Sequence, residues 1–237
     1  MFRCYAIRVI AVLGAAWVGV GAPPIVPTER DREETRIEKL SLDEIVQRLP
    51  RRVTGKDGTL GDMVNFLITG SEDKMDKGLR AAGWVRVDRT KEEAILHAIK
   101  VTIEKGSYTE MPMSELFLFG RSQDFGYAKA LPIEVVSSRH HFRLWKSQLQ
   151  TLDGKAVWVG AGTHDIGIER DRRTRRISHK IDPEVDRERE FIADSMNETG
   201  MVKELRYQRP ADPVREAATA TGARYRSDGR ILVILLK

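Results

Sequence analysis

A single cysteine, Cys4, occurs in 237 residues, and it precedes an apolar lead instead of following one. One thiol excludes an internal disulfide and a thiolate-rich zinc site. Its place before the apolar run also excludes a lipoprotein cysteine. An excess of one charge is missing too. Forty Lys and Arg face 35 Asp and Glu, a net charge of +5, which is too even to point to nucleic acid. The apolar run from Val9 to Val20 falls short of the roughly 20 residues that span a bilayer comfortably. What is present is 41% hydrophobic residues, enough for a core in one large or two small domains.

The first residues have the composition of a targeting segment. Arg3 and Arg8 lie in a basic lead, Val9 to Val20 is apolar, and Gly19 to Ala22 are small residues suited to cleavage. Residues 1–22 are therefore read as a signal peptide or an uncleaved anchor formed by residues 9–22, because Pro23 and Pro24 disfavour the cut. The expected location is extracytoplasmic, in the periplasm or cell envelope. Cleavage would remove two arginines and no acid, leaving a net charge of +3 and no thiol. Residues 23–61 read as a tether, proline-rich and then dense in alternating charge. Within it, Ser41 three residues before Glu44 has capping-box spacing for a short helix that Pro50 ends. The compact domain is expected over residues 62–237.

Met63 to Thr69 reads as a buried strand, Ser71 opens a helix that Gly83 ends in a left-handed cap, and Trp84 to Val87 resumes as strand. Glu92 to Glu104 has helical spacing, with His97 on its polar flank and no chemistry assigned to it. Met111 to Phe119 reads as a strand leaving at Gly120 into a polar turn, where Arg121 either pairs with Asp124 or presents its fork to an anion. Val157 to Thr163 is a strand whose glycines allow close approach. Arg170 to Arg176 is a charged hairpin tip leading into a strand over Ile177 to Ile181. Asp182 and Pro183 open a helix to about Glu198, and Gly222 to Leu236 reads as a hairpin with an apolar, central last strand. The fold class is α+β: a mixed, largely antiparallel sheet flanked by helices.

Chemistry concentrates in Arg139-His140-His141-Phe142-Arg143-Leu144-Trp145. Strand alternation puts Arg139, His141, Arg143 and Trp145 on one face and His140, Phe142 and Leu144 on the other. His141, between two cations, is disfavoured as imidazolium and is expected to be neutral. His179, like His140, shares a face with apolar neighbours, the ordinary setting of a hydrogen-bonded core histidine. On the helix after Pro183, Arg189 falls inside the stripe Val185, Ile192, Met196 with Asp186 at its margin, and a charge there needs a partner.

Six blocks in order carry a wider likeness: Val64-Asn65-Phe66-Leu67; Ala81-Ala82-Gly83-Trp84; Phe119-Gly120-Arg121 with Gln123-Asp124; Arg139 to Trp145; Val157-Trp158-Val159-Gly160 with Asp165; and His179 with Ile181-Asp182-Pro183 and Asp186-Arg187-Glu188-Arg189. Together they resemble the LssY C-terminal domain family from about Asp62 to the C-terminus. The resemblance implies a domain often joined to a membrane-embedded portion that resembles DedA proteins and type 2 phosphatidic acid phosphatases. It implies no reaction of the domain itself. This chain has a signal-like segment in place of that portion and none of the phosphatase histidine motifs, so phosphatase activity is not carried over. His164 and Lys180 stand where the resemblance leads us to expect an aromatic residue and a second histidine.

The leading functional reading is an envelope domain that binds an anionic group, such as a phosphate of a lipid or glycolipid. Arg121, Arg139 and Arg143 act as donors, His141 as a neutral hydrogen-bond partner, and Asp124, Asp165, Asp186 and Arg189 as orienting residues. Anionic lipid headgroups or a membrane protein are the expected partners, and no cofactor is specified. The alternative is a metal-dependent or acid/base hydrolase of an envelope phosphoester centred on His140, His141, His179 and Asp182. A third reading is a structural polar network.

Overall fold

The structure is a computed structural model and describes residues 37–87, 115–129, 138–170 and 177–237. The signal-like segment, the first part of the tether, the expected helix over Glu92 to Glu104 with His97, and the hairpin tip 171–176 lie outside the described residues. A compact unit spans Ile37–Lys237. It holds β1 (Glu38–Leu40), α1 (Leu42–Arg48), β2 (Arg52–Thr54), β3 (Leu60–Met63), β4 (Phe66–Thr69), α2 (Glu72–Ala81), β5 (Val85–Arg86), β6 (Phe117–Leu118), β7 (Arg121–Ser122), β8 (Phe125–Lys129), β9 (Ser138–Thr151), β10 (Ala156–Arg170), β11 (Ile177–Ile181), α3 (Val185–Asn197), β12 (Val202–Gln208), β13 (Glu216–Ala218), β14 (Arg224–Arg226) and β15 (Ile231–Leu236).

The central sheet has the order β12-β15-β4-β10-β9-β8-β5, with β1 beside β9 and β11 beside β10. Among the described strands of this sheet, β1–β9 and β15–β4 are the parallel pairs and the others are antiparallel. The expected mixed, largely antiparallel sheet with flanking helices is therefore present. Its axis is the long β9–β10 hairpin, turned at Asp153-Gly154, where Gly154 takes a φ of 79°.

Period-two alternation divides the core into two layers. One face carries Phe66, Ile68, Phe142, Leu144, Trp158, Leu232 and Ile234 against Met75 and Leu79 of α2 and Ile192 and Met196 of α3. The Phe142 ring meets Phe66 and Trp84 edge-on at 5.2 and 4.6 Å and stacks on Tyr127 at 5.4 Å. The other face carries Leu67, Trp145, Val157, Val159, Ile231 and Val233 against Ile45 and Val46 of α1, Leu49 just after it, Val53 of β2 and Leu118 of β6. Strands β3-β2-β6-β7 form a small second sheet, and β13-β14 a two-stranded ribbon.

Helix α1 has its capping box, with the Ser41 hydroxyl accepting from the Glu44 amide and the Glu44 carboxylate accepting from Ser41. Residues 37–61 are nonetheless part of the compact unit and not a tether, because burying Ile45, Val46, Leu49 and Val53 closes the second face of the sheet. The single strand expected over Met63 to Thr69 is two strands. Between them Asn65, fully buried, accepts from Gly162 N at 3.0 Å and donates to Gly162 O at 2.9 Å, replacing ladder bonds where β4 parts from β10. The expected terminal hairpin is also corrected. Strand β14 pairs with β13, while β15 lies between β12 and β4, the central position its apolarity requires. Helix α3 begins at Val185, two residues later than expected, because Asp182 accepts the Glu184 amide in a turn ahead of the helix.

Gly160 shows why β10 needs glycine: a Cβ there would lie 2.2 Å from the Phe66 ring. Gly160→Ala is expected to destabilise the fold by about 3 kcal/mol through overpacking, read as a lower urea midpoint with an unchanged denaturant slope; a neutral effect would mean that Phe66 does not occupy that space.

Candidate functional site

The alternation that buries Trp145 also turns Arg139, His141 and Arg143 onto the same face of β9, where Thr163 and Asp165 meet them from β10. Asp165 is the hub. One of its oxygens lies 3.0 Å from His141 Nε2 and the other 3.4 Å from an Arg139 guanidinium nitrogen. Arg143 reaches Asp62 of β3 at 3.6 Å, and the Thr163 hydroxyl lies 3.5 Å from His141 Nε2. His141, Arg143 and Asp165 are 6, 5 and 2% exposed, so this is a buried polar cluster with two guanidinium groups set against two carboxylates.

Burial lowers the His141 pKa. Asp165 opposes that effect, and Arg139 and Arg143 reinforce it. Burial likewise lowers that of Arg143, against the pull of Asp62 and Asp165. With the Asp165 carboxylate beside Nε2, a neutral His141 carries its proton there and leaves Nδ1 as an acceptor. Nδ1 is buried and has no hydrogen-bond partner among the described residues. Such a ring, oriented by a carboxylate and flanked by two cations, accepts a hydrogen bond from a protonated oxyanion or takes up a proton.

A second histidine–carboxylate pair occupies the opposite face. His140 Nδ1 lies 2.5 Å from Glu188 Oε2, and the His140 ring is stacked between Phe191 at 3.7 Å and His164 at 4.0 Å. His140 and His164 face each other across β9 and β10, and Glu188 sits on the inward side of α3 with its Cγ over Gly162. Burial raises the Glu188 pKa well above the carboxylate range, with Asp165 adding to the rise. Burial, with His164 and Lys129, brings His140 down to about 3. Both partners are therefore held neutral, and the Glu188 carboxyl donates its proton to His140.

Residues 46–231 match the profile of the family described as LssY C-terminus. The chain belongs to the LssY C-terminal domain family. No curated protein and no solved structure matches it.

The structure gathers only part of the predicted site into this LssY C-terminal domain cluster. Arg139, His141, Arg143 and Asp165 come together. Arg121 does not join them: its guanidinium donates to Asp124 and to the Lys146 carbonyl, each at 2.6 Å, and Asp124 also takes the Lys146 amide. Arg121 and Asp124 thus tie β7 to the middle of β9. Asp186 and Arg189 are a brace, not orienting residues. Arg189, fully buried, bonds Asp228 and the Arg230 carbonyl at 2.9 Å and Glu190 at 2.8 Å, while Asp186 holds Ser227 and the Asp228 amide. Burial would raise the Asp228 pKa, but its bonds to Arg189 and Arg230 hold it well below the usual range.

The proposed metal set is divided. His140 and His141 point to opposite faces of β9, and Asp182 accepts the Glu184 amide and lies 3.3 Å from Arg187. His179 is in β11 opposite Ile168, with its side chain outside the described residues. No three metal-ligating side chains converge among the described residues. Asp62 and Glu188 were missed from sequence. For Glu188 the signal was present, since it follows Val185 by three and precedes Ile192 by four, within the stripe that flagged Arg189.

Linkage gives the pair a pH signature. Above pH 4.5 an unfolded Glu188 is ionised while the folded one keeps its proton, so stability falls as pH rises toward the folded value. His140 acts in the other direction, since its contribution is lost as pH falls from about 6.5 toward 3. Glu188→Gln keeps a donor for His140 but has no proton to lose. Its stability relative to wild type is expected to increase with pH above 5, measured by urea unfolding at several pH values; a loss at pH 8 would instead mark an ionised Glu188 against a charged His140.

Proposed function

We propose that the domain binds an anionic, phosphate-bearing group, of the kind carried by lipid or glycolipid headgroups, at Arg139, His141 and Arg143. The observation that carries this reading is the His141–Asp165 contact, which leaves His141 Nδ1 as a buried acceptor between two guanidinium groups. Arg139 and Arg143 supply charge for an oxyanion, and Nδ1 receives the proton of a monoprotonated phosphate. Asp62 and Asp165 balance the cations in the empty state and hold their forks in place. We place this function outside the cytoplasm, in the periplasm or cell envelope, with residues 9–22 as signal or anchor. Among the described residues no helix is long and apolar enough to cross a membrane.

A second reading, acid/base hydrolysis of a phosphoester, draws on the same dyad. His141, oriented by Asp165, has the arrangement of a general base, and the arginines would stabilise a transferring phosphoryl group.

Thermal unfolding with saturating inorganic phosphate, and separately with phosphatidic acid vesicles against phosphatidylcholine vesicles, tests the binding reading. Wild type and Arg121→Ala should both gain roughly 5 °C at a hundredfold excess over Kd. Arg139→Gln and Arg143→Gln should gain nothing. Equal shifts in all four proteins, or loss of the shift only in Arg121→Ala, would refute the assignment. Release of inorganic phosphate from a soluble phosphomonoester, abolished in His141→Gln, would favour the hydrolase.

A further inference from the structure

A cleft of about 370 Å³ crosses one end of the central sheet, and none of the described residues of the arginine–histidine cluster lines it. Its volume is within the range of small-molecule sites. In strand order it passes Lys203 and Arg206 of β12, Leu235 of β15, Thr69 of β4, Thr151 of β9 and Leu40 of β1, with Leu42 of α1 and Leu152 of the β9–β10 turn also in its lining. Thr69 follows Leu67 by two residues and Leu235 follows Val233 by two, so both face the core layer that α1 covers. The cleft continues that layer out to solvent at Leu152, which is 67% exposed.

Most polar side chains of the lining are already paired. Ser41 is bonded to Glu44 in the helix cap, the Thr151 hydroxyl donates to Asp153, and Asp153 also lies 3.3 Å from Lys155. Asp43 accepts from Gln208, and Arg206 donates to Glu204 at 2.9 Å. Two groups differ. Lys203 is exposed and has no ion pair among the described residues. Thr69 Oγ1 is fully buried and has no hydrogen-bond partner among the described residues. A buried hydroxyl ordinarily has one, because leaving it unpaired forfeits its bonds to water. Strands β12 and β4 flank β15 and so lie roughly 10 Å apart, a gap that a lysine side chain and one carboxylate bridge.

This lining selects among possible occupants. One free ammonium group and one neutral hydroxyl suit a single negative charge spread over two oxygens. A phosphate dianion calls for a second cation, and Lys155 and Arg206 already face carboxylates. Leu40, Leu42 and Leu152, on the side of β1 and the β9–β10 turn, offer their surface to hydrocarbon.

We infer that the cleft binds an aliphatic monocarboxylate, with its carboxylate between Lys203 Nζ and Thr69 Oγ1 and its chain along Leu235, Leu40, Leu42 and Leu152. This site is separate from the anion site at Arg139, His141 and Arg143 and does not depend on it.

Calorimetric titration of the full chain with decanoate, decylammonium and acetate tests the inference. Decanoate should bind at one site per chain, about tenfold more tightly than either of the others, and saturating inorganic phosphate should leave that binding unchanged. Lys203→Gln, a surface change with little risk to folding, should weaken decanoate binding about tenfold. Leu152→Asp, equally exposed, should weaken it several-fold, as should Thr69→Val, which keeps the shape of the side chain and removes the hydroxyl. Equal affinity for decanoate and decylammonium, displacement by phosphate, undiminished binding in Lys203→Gln or in folded Thr69→Val, or no binding by folded wild type would each overturn the assignment.

Discussion

Strand β9 is held against β10 in one register from Lys146 opposite Trp158 to Ser138 opposite Ile166, and every other feature of the molecule depends on that pairing. A shift of one residue would exchange the two faces of the sheet, burying Arg143 among Phe66, Trp84 and Tyr127 and turning Phe142 and Leu144 onto the face of Asp62 and Asp165. Such a state would bury a charge without its carboxylate and lose most of one core layer, so the register is specified energetically from both sides. Gly160 and Asn65 make the pairing possible on the β4 side. The glycine admits the Phe66 ring, and the asparagine satisfies the Gly162 backbone where the neighbouring strand ends.

Because alternation is absolute within the paired region, the hairpin carries two different histidine–carboxylate pairs back to back. His141 and Asp165 face the layer formed by α1 and the small sheet, in the company of arginines. His140 and Glu188 face the helical layer, in the company of aromatic rings. Burial acts on all four, but the neighbouring charges differ. Asp165, beside Arg139 and His141, can orient a ring, whereas Glu188, with no cation among its described contacts, keeps its proton and acts as a donor. Two chemically similar pairs thereby acquire different roles, one suited to meeting a ligand and the other to fastening α3 to the sheet.

Much of this was legible in the chain. The capping box at Ser41, the Gly83 stop, the two-faced strand through Arg139 to Trp145 and the central last strand follow from short-range rules of period and termination, and the structure agrees with them. Where the sequence misled, the cause was long-range. The burial of α1 follows from a second sheet face that needs covering, and nothing in residues 37–61 states which surface that is. Of the two readings its spacing allowed, Arg121 takes the pairing with Asp124, and the Lys146 carbonyl, twenty-five residues away, is the long-range partner that completes it. Arg189 inside the apolar stripe signalled that a partner was needed; Asp186, one turn away, supplies one at 3.1 Å, while Asp228 lies in the turn before β15, about forty residues away.

By itself, then, the sequence determined which side chains of β9 share a face and where α1 and α2 begin and end, because those depend on φ/ψ periodicity and on partners within a few residues. Membership in the LssY C-terminal domain family follows from the same linear pattern. Tertiary structure alone decided which of the charged residues meet: Asp62 with Arg143, Glu188 with His140, Arg189 with Asp228. A guanidinium or a carboxylate carries no mark of its partner in the chain. Its partner is whichever opposite group the packing of the two core layers brings within a few ångströms, and in a buried cluster that choice separates a ligand site from a brace.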